Sequence, residues 1–135
     1  MIDETGAPLR SSSHRSPSVL RSFYFAYCGL SYLLRTQRNA RIHLLIAAIV
    51  CAIAAWLRVG PLQWAILVLT IAMVLILEGV NTAIEAIVDL ISPQIHPLAR
   101  IAKDVSAATV LIAAIAAVII GGVMLGPPLW EKVAR

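Results

Sequence analysis

Three carboxylates and an asparagine lie at one end of an otherwise apolar segment of the chain. The uncharged run Leu62–Leu77 passes directly into EGVNTAIEAIVDLI, which carries Glu78, Asn81, Glu85 and Asp89. On a helix that turns about 100° per residue, these spacings of three and four place all four side chains within about 100° of arc. One polar stripe is therefore predicted to emerge from an apolar helix.

The side chains on this stripe suit different chemical tasks. An ionisable residue inside a membrane segment is costly and is by default a functional candidate, so Glu78 is interpreted as a group that accepts a proton. Glu85, nearer water, is better placed to hold a cation, and Mg²⁺ typically takes one or two carboxylates together with phosphate oxygens and waters. Asn81 and Thr82 also allow a structural interpretation, since buried Asn and Thr bond across helices in membranes.

The composition predicts a small integral membrane protein. Apolar residues make up 60% of the 135 residues and charged residues only 13%, with a mean hydropathy of +0.88. A soluble domain carries about 25% charged residues. The net charge of +4 does not favour nucleic-acid binding, because the basic residues flank apolar runs rather than line one patch.

Hydrophobic patterning predicts an all-α fold with three transmembrane helices and an amino-terminal amphipathic surface helix. Residues 1–17 are expected to be a disordered tail, 18–126 the membrane domain and 127–135 a short carboxy-terminal tail. The spans are expected at about 40–58, 62–91 and 98–125, with turns at RVGP, SPQIHP and GPP. The surface helix, about 19–36, could lie in the membrane interface or pack on its neighbours. Its apolar stripe consists of Leu20, Phe23, Tyr27, Leu30 and Leu34.

The distribution of basic residues predicts the orientation. Eight Arg and Lys residues fall in the amino-terminal segment and the second connection, and three fall on the opposite side. The positive-inside rule then puts the amino terminus in the cytoplasm and the carboxy terminus outside. Sixteen residues from Leu62 to Glu78 span ~24 Å of a hydrocarbon core ~30 Å thick, so Glu78 is expected just inside the cytoplasmic boundary. With Cys28 facing a reducing interior and Cys51 within a span, no structural disulfide is expected.

A basic face follows the second turn, in HPLARIAKDVSAA. His96, Arg100 and Lys103 repeat at spacings of four and three, and Asp104 comes next. These cations could contact lipid phosphates or a phosphorylated substrate, and the residues alone do not decide. The sequence contains neither a P-loop nor the H-R-D and D-F-G motifs of protein kinases. An ion or proton transporter and a helix-packing subunit remain alternatives at this point.

The two motifs together resemble the prokaryotic diacylglycerol kinase family, which also contains the undecaprenol kinases. The resemblance lies in the segments EGVNTAIEAIVDLI, HPLARIAKDVSAA and RTQRNARIH and in the three-span layout. It extends from about Ser22 to Leu125. The resemblance implies a homotrimer with active sites between subunits at the cytoplasmic face. It also implies transfer of the γ-phosphate of ATP, with Mg²⁺, to diacylglycerol or undecaprenol. RTQRNARIH and HPLARIAKD are more similar to the undecaprenol kinase branch.

The resemblance assigns a role to each matching residue. Glu78 would be the general base on the lipid hydroxyl, Asn81 would position the reacting groups, and Glu85 would ligate Mg²⁺. Lys103 and Asp104 resemble the nucleotide-binding pair of the family.

Further residues would assist these groups. Arg41 would also reach the nucleotide, and Asp89 and Thr82 would support the site. Gln37 departs from the family pattern, because many relatives have a glutamate there that serves as a second carboxylate near the metal. Gln37 would either ligate Mg²⁺ through its neutral carbonyl oxygen or leave the metal to Glu85.

Overall fold

The computed structural model describes residues 18–92 and 96–134, and all regular structure within these ranges is helical. The four helices are α1 (Val19–Thr36), α2 (Arg38–Leu57), α3 (Pro61–Ile91) and α4 (Pro97–Val133). By length and composition, α2, α3 and α4 can each cross a membrane, which confirms the prediction of an all-α protein with three spans. The predicted amino-terminal tail, and part of the predicted second turn, lie outside the described residues.

Helix α1 contains no buried residue, and the apolar stripe that defined it in the sequence stays largely exposed. The helix ends where the Oγ1 of Thr36 donates to the carbonyl of Tyr32 at 2.8 Å. Gln37 then adopts extended backbone, with φ −94° and ψ 115°, and forms the amino-terminal cap position of α2. The chain divides into two compact units after Ser31. The second unit contains α2, α3 and α4 and carries the polar stripe.

The turn between α2 and α3 follows from the local sequence. Arg58 adopts the left-handed conformation (φ 54°), and its N–H and that of Val59 bond to carbonyls of the last turn of α2. Such a residue satisfies carbonyls that have no partner inside the helix. Pro61 then opens α3, where its missing N–H costs nothing. The prediction that RVGP turns the chain is confirmed.

Helix α4 extends beyond its predicted end. GPP was expected to end this span at about residue 125, but the helix continues through Pro127 and Pro128 to Val133. Because proline has no N–H, Pro128 cannot bond to the carbonyl of Met124 four residues earlier. The side-chain amide of Gln63 on α3 donates to that carbonyl instead, at 3.1 Å. A bond from another helix thus replaces one that the proline removes.

The far end of α4 is also fixed to α2. Lys132 Nζ donates to the carbonyl of Trp56 at 2.8 Å and lies 4.3 Å from the centre of the indole ring. The chain's three tryptophans, Trp56, Trp64 and Trp130, lie at the last turns of α2 and α4 and the first turn of α3. Tryptophan is enriched at membrane–water interfaces. The tryptophans therefore suit this end of the bundle to the membrane–water interface. Trp64 lies about 20 Å along α3 from Glu78.

Small residues bring α2 into contact with its neighbours. Ala40, Ala47 and Ala54 recur every seven residues and are 0%, 7% and 0% exposed. Ala54 packs in one cluster with Leu67 of α3 and Leu125 of α4. Small side chains allow helix backbones in membranes to approach closely. Most large apolar side chains of the bundle remain exposed, as they are in a protein whose solvent is lipid.

We expect Ala54→Leu to destabilise the bundle, because the added atoms have no space at a fully buried contact between helices. Overpacking of this kind costs about 1–3 kcal/mol of unfolding free energy. The neighbouring Ala55 is exposed, so Ala55→Leu makes the same chemical change without the crowding and serves as the control. Unfolding of both variants in detergent, followed by circular dichroism, measures the difference. Equal stability of the two variants would contradict the packing described for α2.

Candidate active site

The polar stripe of α3 passes from the bundle interior to its surface. Glu78 is 2% exposed, and Asn81 and Thr82 are each 8% exposed. Glu85, further along the helix, is half-buried, and Asp89 is exposed. The Oγ1 of Thr82 donates to the carbonyl of Glu78 at 3.0 Å, so this hydroxyl is used within α3. The stripe therefore places one carboxyl in the interior and two progressively nearer the surface.

Glu78 lies against the first turn of α2. Its carboxyl group lies close to the backbone of Ala40, and His43 and Glu85 are its nearby titratable neighbours. The first N–H groups of a helix have no partner within that helix, and the helix dipole favours negative charge there. Ala40 is fully buried, and its single methyl group lets the carboxylate approach the backbone. The amino terminus of α2 thus provides the polar environment that a buried carboxyl group needs.

Asn81 is held from two sides. Its Nδ2 donates to Oε1 of Glu85 at 3.0 Å, and its Oδ1 accepts from the hydroxyl of Ser106 on α4 at 2.6 Å. Ser106 is 4% exposed, and its oxygen also lies 2.9 Å from the carbonyl of Lys103. Because the amide donates on one side and accepts on the other, its orientation is defined. The contact also joins α3 to α4 beside the site.

The two charged residues at the start of α4 point in different directions. Lys103 Nζ bonds to Oδ1 of Asp89 at 2.6 Å, which brings the lysine onto the α3 stripe. Asp104 lies about 100° further round the helix, where the guanidinium of Arg100 approaches it at 3.7 Å. Both members of the Arg100–Asp104 pair are largely exposed, so the pair adds little stability. Lys103 joins the stripe within one chain, and Asp104 does not.

Gln37 and Arg41 lie at the start of α2, at the same end of the bundle as Glu78. Gln37 is half-buried, and its side-chain amide makes no hydrogen bond to any residue that the structure describes. Arg41 is exposed and forms no ion pair within residues 18–92 and 96–134. Within the described residues, neither side chain forms a hydrogen bond or an ion pair with the stripe, so a ligand or another chain would be needed to join them to it.

Three residues at the site were not assigned a role from the sequence. Ala40 brings its backbone close to Glu78, and a pattern of side-chain types in the sequence does not reveal a backbone contribution. Ser106 gave a weak signal, since it lies three residues after Lys103 and so shares its helix face. His43 gave a stronger one, because it is the only polar residue in the apolar run Ile42–Leu57.

The donor set limits which metal the site can hold. Glu85 uses one oxygen for Asn81, which leaves its second oxygen available to a cation. Within the described ranges, no group of three or more His, Cys, Asp or Glu side chains is arranged to hold a metal ion. Mg²⁺ usually binds through one or two carboxylates and takes its other ligands from water and substrate phosphates. The carboxylates present fit an ion such as Mg²⁺, which would take its remaining ligands from water and from phosphate oxygens.

Comparison with known proteins identifies the family. The sequence profile of the prokaryotic diacylglycerol kinases matches residues 24–125. The chain is 48% identical to a diacylglycerol kinase of Synechocystis sp. over 124 residues, covering 90% of this chain and 71% of that protein. It is 36% identical to the undecaprenol kinase of Bacillus subtilis over 121 residues, covering 88% and 98%. A diacylglycerol kinase of Escherichia coli is 44% identical over 73 residues, covering 54% and 60%.

The profile match covers the polar stripe, the Lys103 region, α2, α3 and α4 as far as Leu125. These matches exclude the transporter and packing-subunit interpretations that the sequence alone left open. The chain belongs to the prokaryotic diacylglycerol kinase family and is a lipid kinase.

Proposed function

We propose that this lipid kinase transfers the γ-phosphate of ATP to the hydroxyl of diacylglycerol or undecaprenol, giving phosphatidic acid or undecaprenyl phosphate. The observation that carries the proposal is the buried Glu78 carboxyl at the inner end of a polar stripe that Lys103 joins. In this proposal the lipid hydroxyl approaches the carboxyl group from the apolar side and the nucleotide from the opposite side. Relatives named for each lipid resemble the chain, so both acceptors are retained.

In the proposed reaction, Glu78 accepts the proton of the lipid hydroxyl while the hydroxyl oxygen bonds to the γ-phosphorus. The bond between that phosphorus and the β,γ-bridging oxygen breaks, and ADP leaves. The Ala40 N–H, which lies near the Glu78 carboxyl group, would stabilise the carboxylate while it is ionised. Phosphoryl transfer depends mainly on positioning and on stabilising charge, so a site of few residues can suffice.

The remaining polar residues would position the nucleotide. Asn81, held by Ser106 and Glu85, would present its amide next to the reacting groups. Lys103, held near the stripe by Asp89, would exchange that carboxylate for phosphate oxygens. When bound, Mg²⁺ would neutralise charge on the ATP phosphates, and Glu85 would hold it, with Gln37 as a possible neutral ligand. Arg41 and Asp104, both exposed, would contact the nucleotide.

We further propose a homotrimer with the active sites shared between neighbouring subunits. Support comes from the divergence of Lys103 and Asp104 on one chain. In the part of the chain that the structure describes, Gln37 and Arg41 also form no hydrogen bond or ion pair with the stripe. A neighbouring subunit could bring such residues to one nucleotide. The positive-inside rule supports a site at the cytoplasmic face, an amino terminus in the cytoplasm and a carboxy terminus outside.

Glu78→Gln is expected to abolish most phosphoryl transfer, because the amide cannot accept the proton. With γ-labelled ATP and either lipid alcohol, the unmodified protein should form labelled product, and the variant should be slower by about 10²- to 10⁴-fold. Glu131→Gln makes the same chemical change at an exposed position in the last turn of α4, at the end of the bundle away from Glu78. This variant should remain active. Thin-layer separation of the lipids measures the product, and the oligomer in detergent verifies assembly. Near-normal turnover by Glu78→Gln would disprove the base assignment.

Gln37→Glu is expected to lower the Mg²⁺ concentration needed for half-maximal activity, because an added carboxylate attracts the dication. We expect a shift of roughly three- to ten-fold with little change in the saturated rate. Asn39→Asp adds the same charge at an exposed neighbouring position and controls for long-range attraction. A Mg²⁺ titration corrected for MgATP gives the comparison. An unchanged or higher Mg²⁺ requirement in Gln37→Glu would show that this position does not act on the metal.

The proposed orientation predicts opposite labelling of the two ends of the described chain. Single cysteines replacing Ser18 and Ala134, in a protein lacking Cys28 and Cys51, are exposed at both positions. A thiol reagent that cannot cross the membrane should label only position 134 in intact cells and both positions after lysis. Labelling of position 18 in intact cells would reverse the assignment of the site to the cytoplasmic face.

A further inference from the structure

A cleft of about 300 Å³ lies between α2, α3 and α4. Its walls are apolar, with Ala47, Leu67, Val74 and Ala117 among them, and only His43 and Thr70 are polar. The hydroxyl of Thr70 donates to the carbonyl of Ile66 at 2.8 Å and is therefore used within α3. The imidazole of His43 makes no hydrogen bond to any residue in the described part of the chain. It is thus the one polar side chain of the cleft that is available to a ligand.

The position of His43 relates the cleft to the catalytic carboxyl. His43 follows Ala40 by three residues on α2, so the two share a helix face, and both lie close to the Glu78 carboxyl group. On α3, Val74 lines the cleft and precedes Glu78 by four residues, about one helical turn. The upper end of the cleft, where His43 lies half-buried, is therefore adjacent to the Glu78 carboxyl.

We propose that His43 is a substrate-positioning residue that binds the hydroxyl oxygen of the lipid alcohol. This inference rests on the proposed function and assigns a second protein contact to the acceptor. A hydroxyl group has one donor and two acceptor lone pairs. With its proton directed to Glu78 and one lone pair accepting from the imidazole N–H, its other lone pair faces the phosphorus. His43 keeps its own proton throughout, and Glu78 takes the proton that the hydroxyl loses.

This arrangement does not depend on which lipid is the acceptor. Diacylglycerol and undecaprenol are both primary alcohols attached to long apolar chains, and the cleft offers an apolar surface below the imidazole. His43 is therefore expected to matter equally for the two alcohols. If instead it recognised an ester carbonyl, its loss would affect only diacylglycerol.

The test compares His43→Leu, which removes the donor, with His43→Asn, which keeps one. For His43→Leu we expect kcat/KM for the lipid alcohol to fall about 10- to 100-fold, with KM for ATP unchanged. His43→Asn should recover part of that loss. Thr70→Val alters the other polar residue of the cleft without removing a ligand contact, and it should stay near the unmodified rate. The thermal midpoint and oligomer of each variant report on folding.

A second measurement uses the unmodified fold and needs no turnover. With His14 and His96 replaced by Gln, the imidazole NMR signals of labelled protein arise from His43 alone. Adding the lipid alcohol without ATP should shift the ring N–H signal, and the hydrocarbon with the same chain but no hydroxyl should not. An identical shift with both would show contact with the chain rather than the hydroxyl and would overturn the inference.

The outcomes separate this inference from the proposed function. Absence of labelled lipid from the unmodified protein, or an active Glu78→Gln variant, would overturn the proposed function. Labelled lipid with an inactive Glu78→Gln and an unchanged kcat/KM in His43→Leu would overturn only the role of His43. The role of His43 would also be overturned if His43→Leu lowered kcat/KM only for diacylglycerol, or if Thr70→Val lowered kcat/KM by the same factor.

Discussion

A buried carboxyl group is the constraint on which the rest of this structure depends. Removing a carboxylate from water is costly unless hydrogen bonds replace its hydration. Here the polar surroundings are those of the amino terminus of α2, where the Ala40 backbone lies close to the carboxyl group and its N–H has no partner within the helix. That arrangement requires α2 and α3 to approach closely where Ala40 faces Glu78, and a side chain larger than that of alanine would keep them apart. The repeat of alanines at positions 47 and 54 continues the same close approach along the helix.

A second set of polar contacts joins α3 to α4 on the other side of the stripe. Asn81 bonds to Ser106 in the interior, and Asp89 bonds to Lys103 nearer the surface. Hydrogen bonds between membrane helices contribute modest stability, about 0.6 kcal/mol on average. Their larger effect here is to define where an amide and an ammonium group lie relative to Glu78. The two interfaces of α3 thus hold the groups that a phosphoryl transfer would use.

The sequence predicted those features that depend on residues close together in the chain. Apolar length predicted three spans, the spacing of Glu78, Asn81, Glu85 and Asp89 predicted a single stripe, and RVGP predicted the first turn. The contacts between helices could not be predicted in this way. The spacing of Ser106 from Lys103 was only a weak signal, and its bond to Asn81 depends on how α4 packs against α3. The extension of α4 through Pro128 was missed because the compensating donor, Gln63, lies on a different helix. Lys103 and Asp104 are adjacent in sequence, yet helix geometry separates their directions.

The tryptophans have a consequence for optical measurements on this protein. All three lie at the end of the bundle opposite Glu78, roughly 20 Å away along α3. Intrinsic tryptophan fluorescence therefore reports the polarity and lipid environment of that end of the bundle. It is expected to change little when the reaction takes place near Glu78. The same separation lies within the range of resonance energy transfer, so a fluorescent nucleotide would quench this emission according to its depth along the bundle. One optical signal thus measures distance from a fixed interface without any introduced label on the protein.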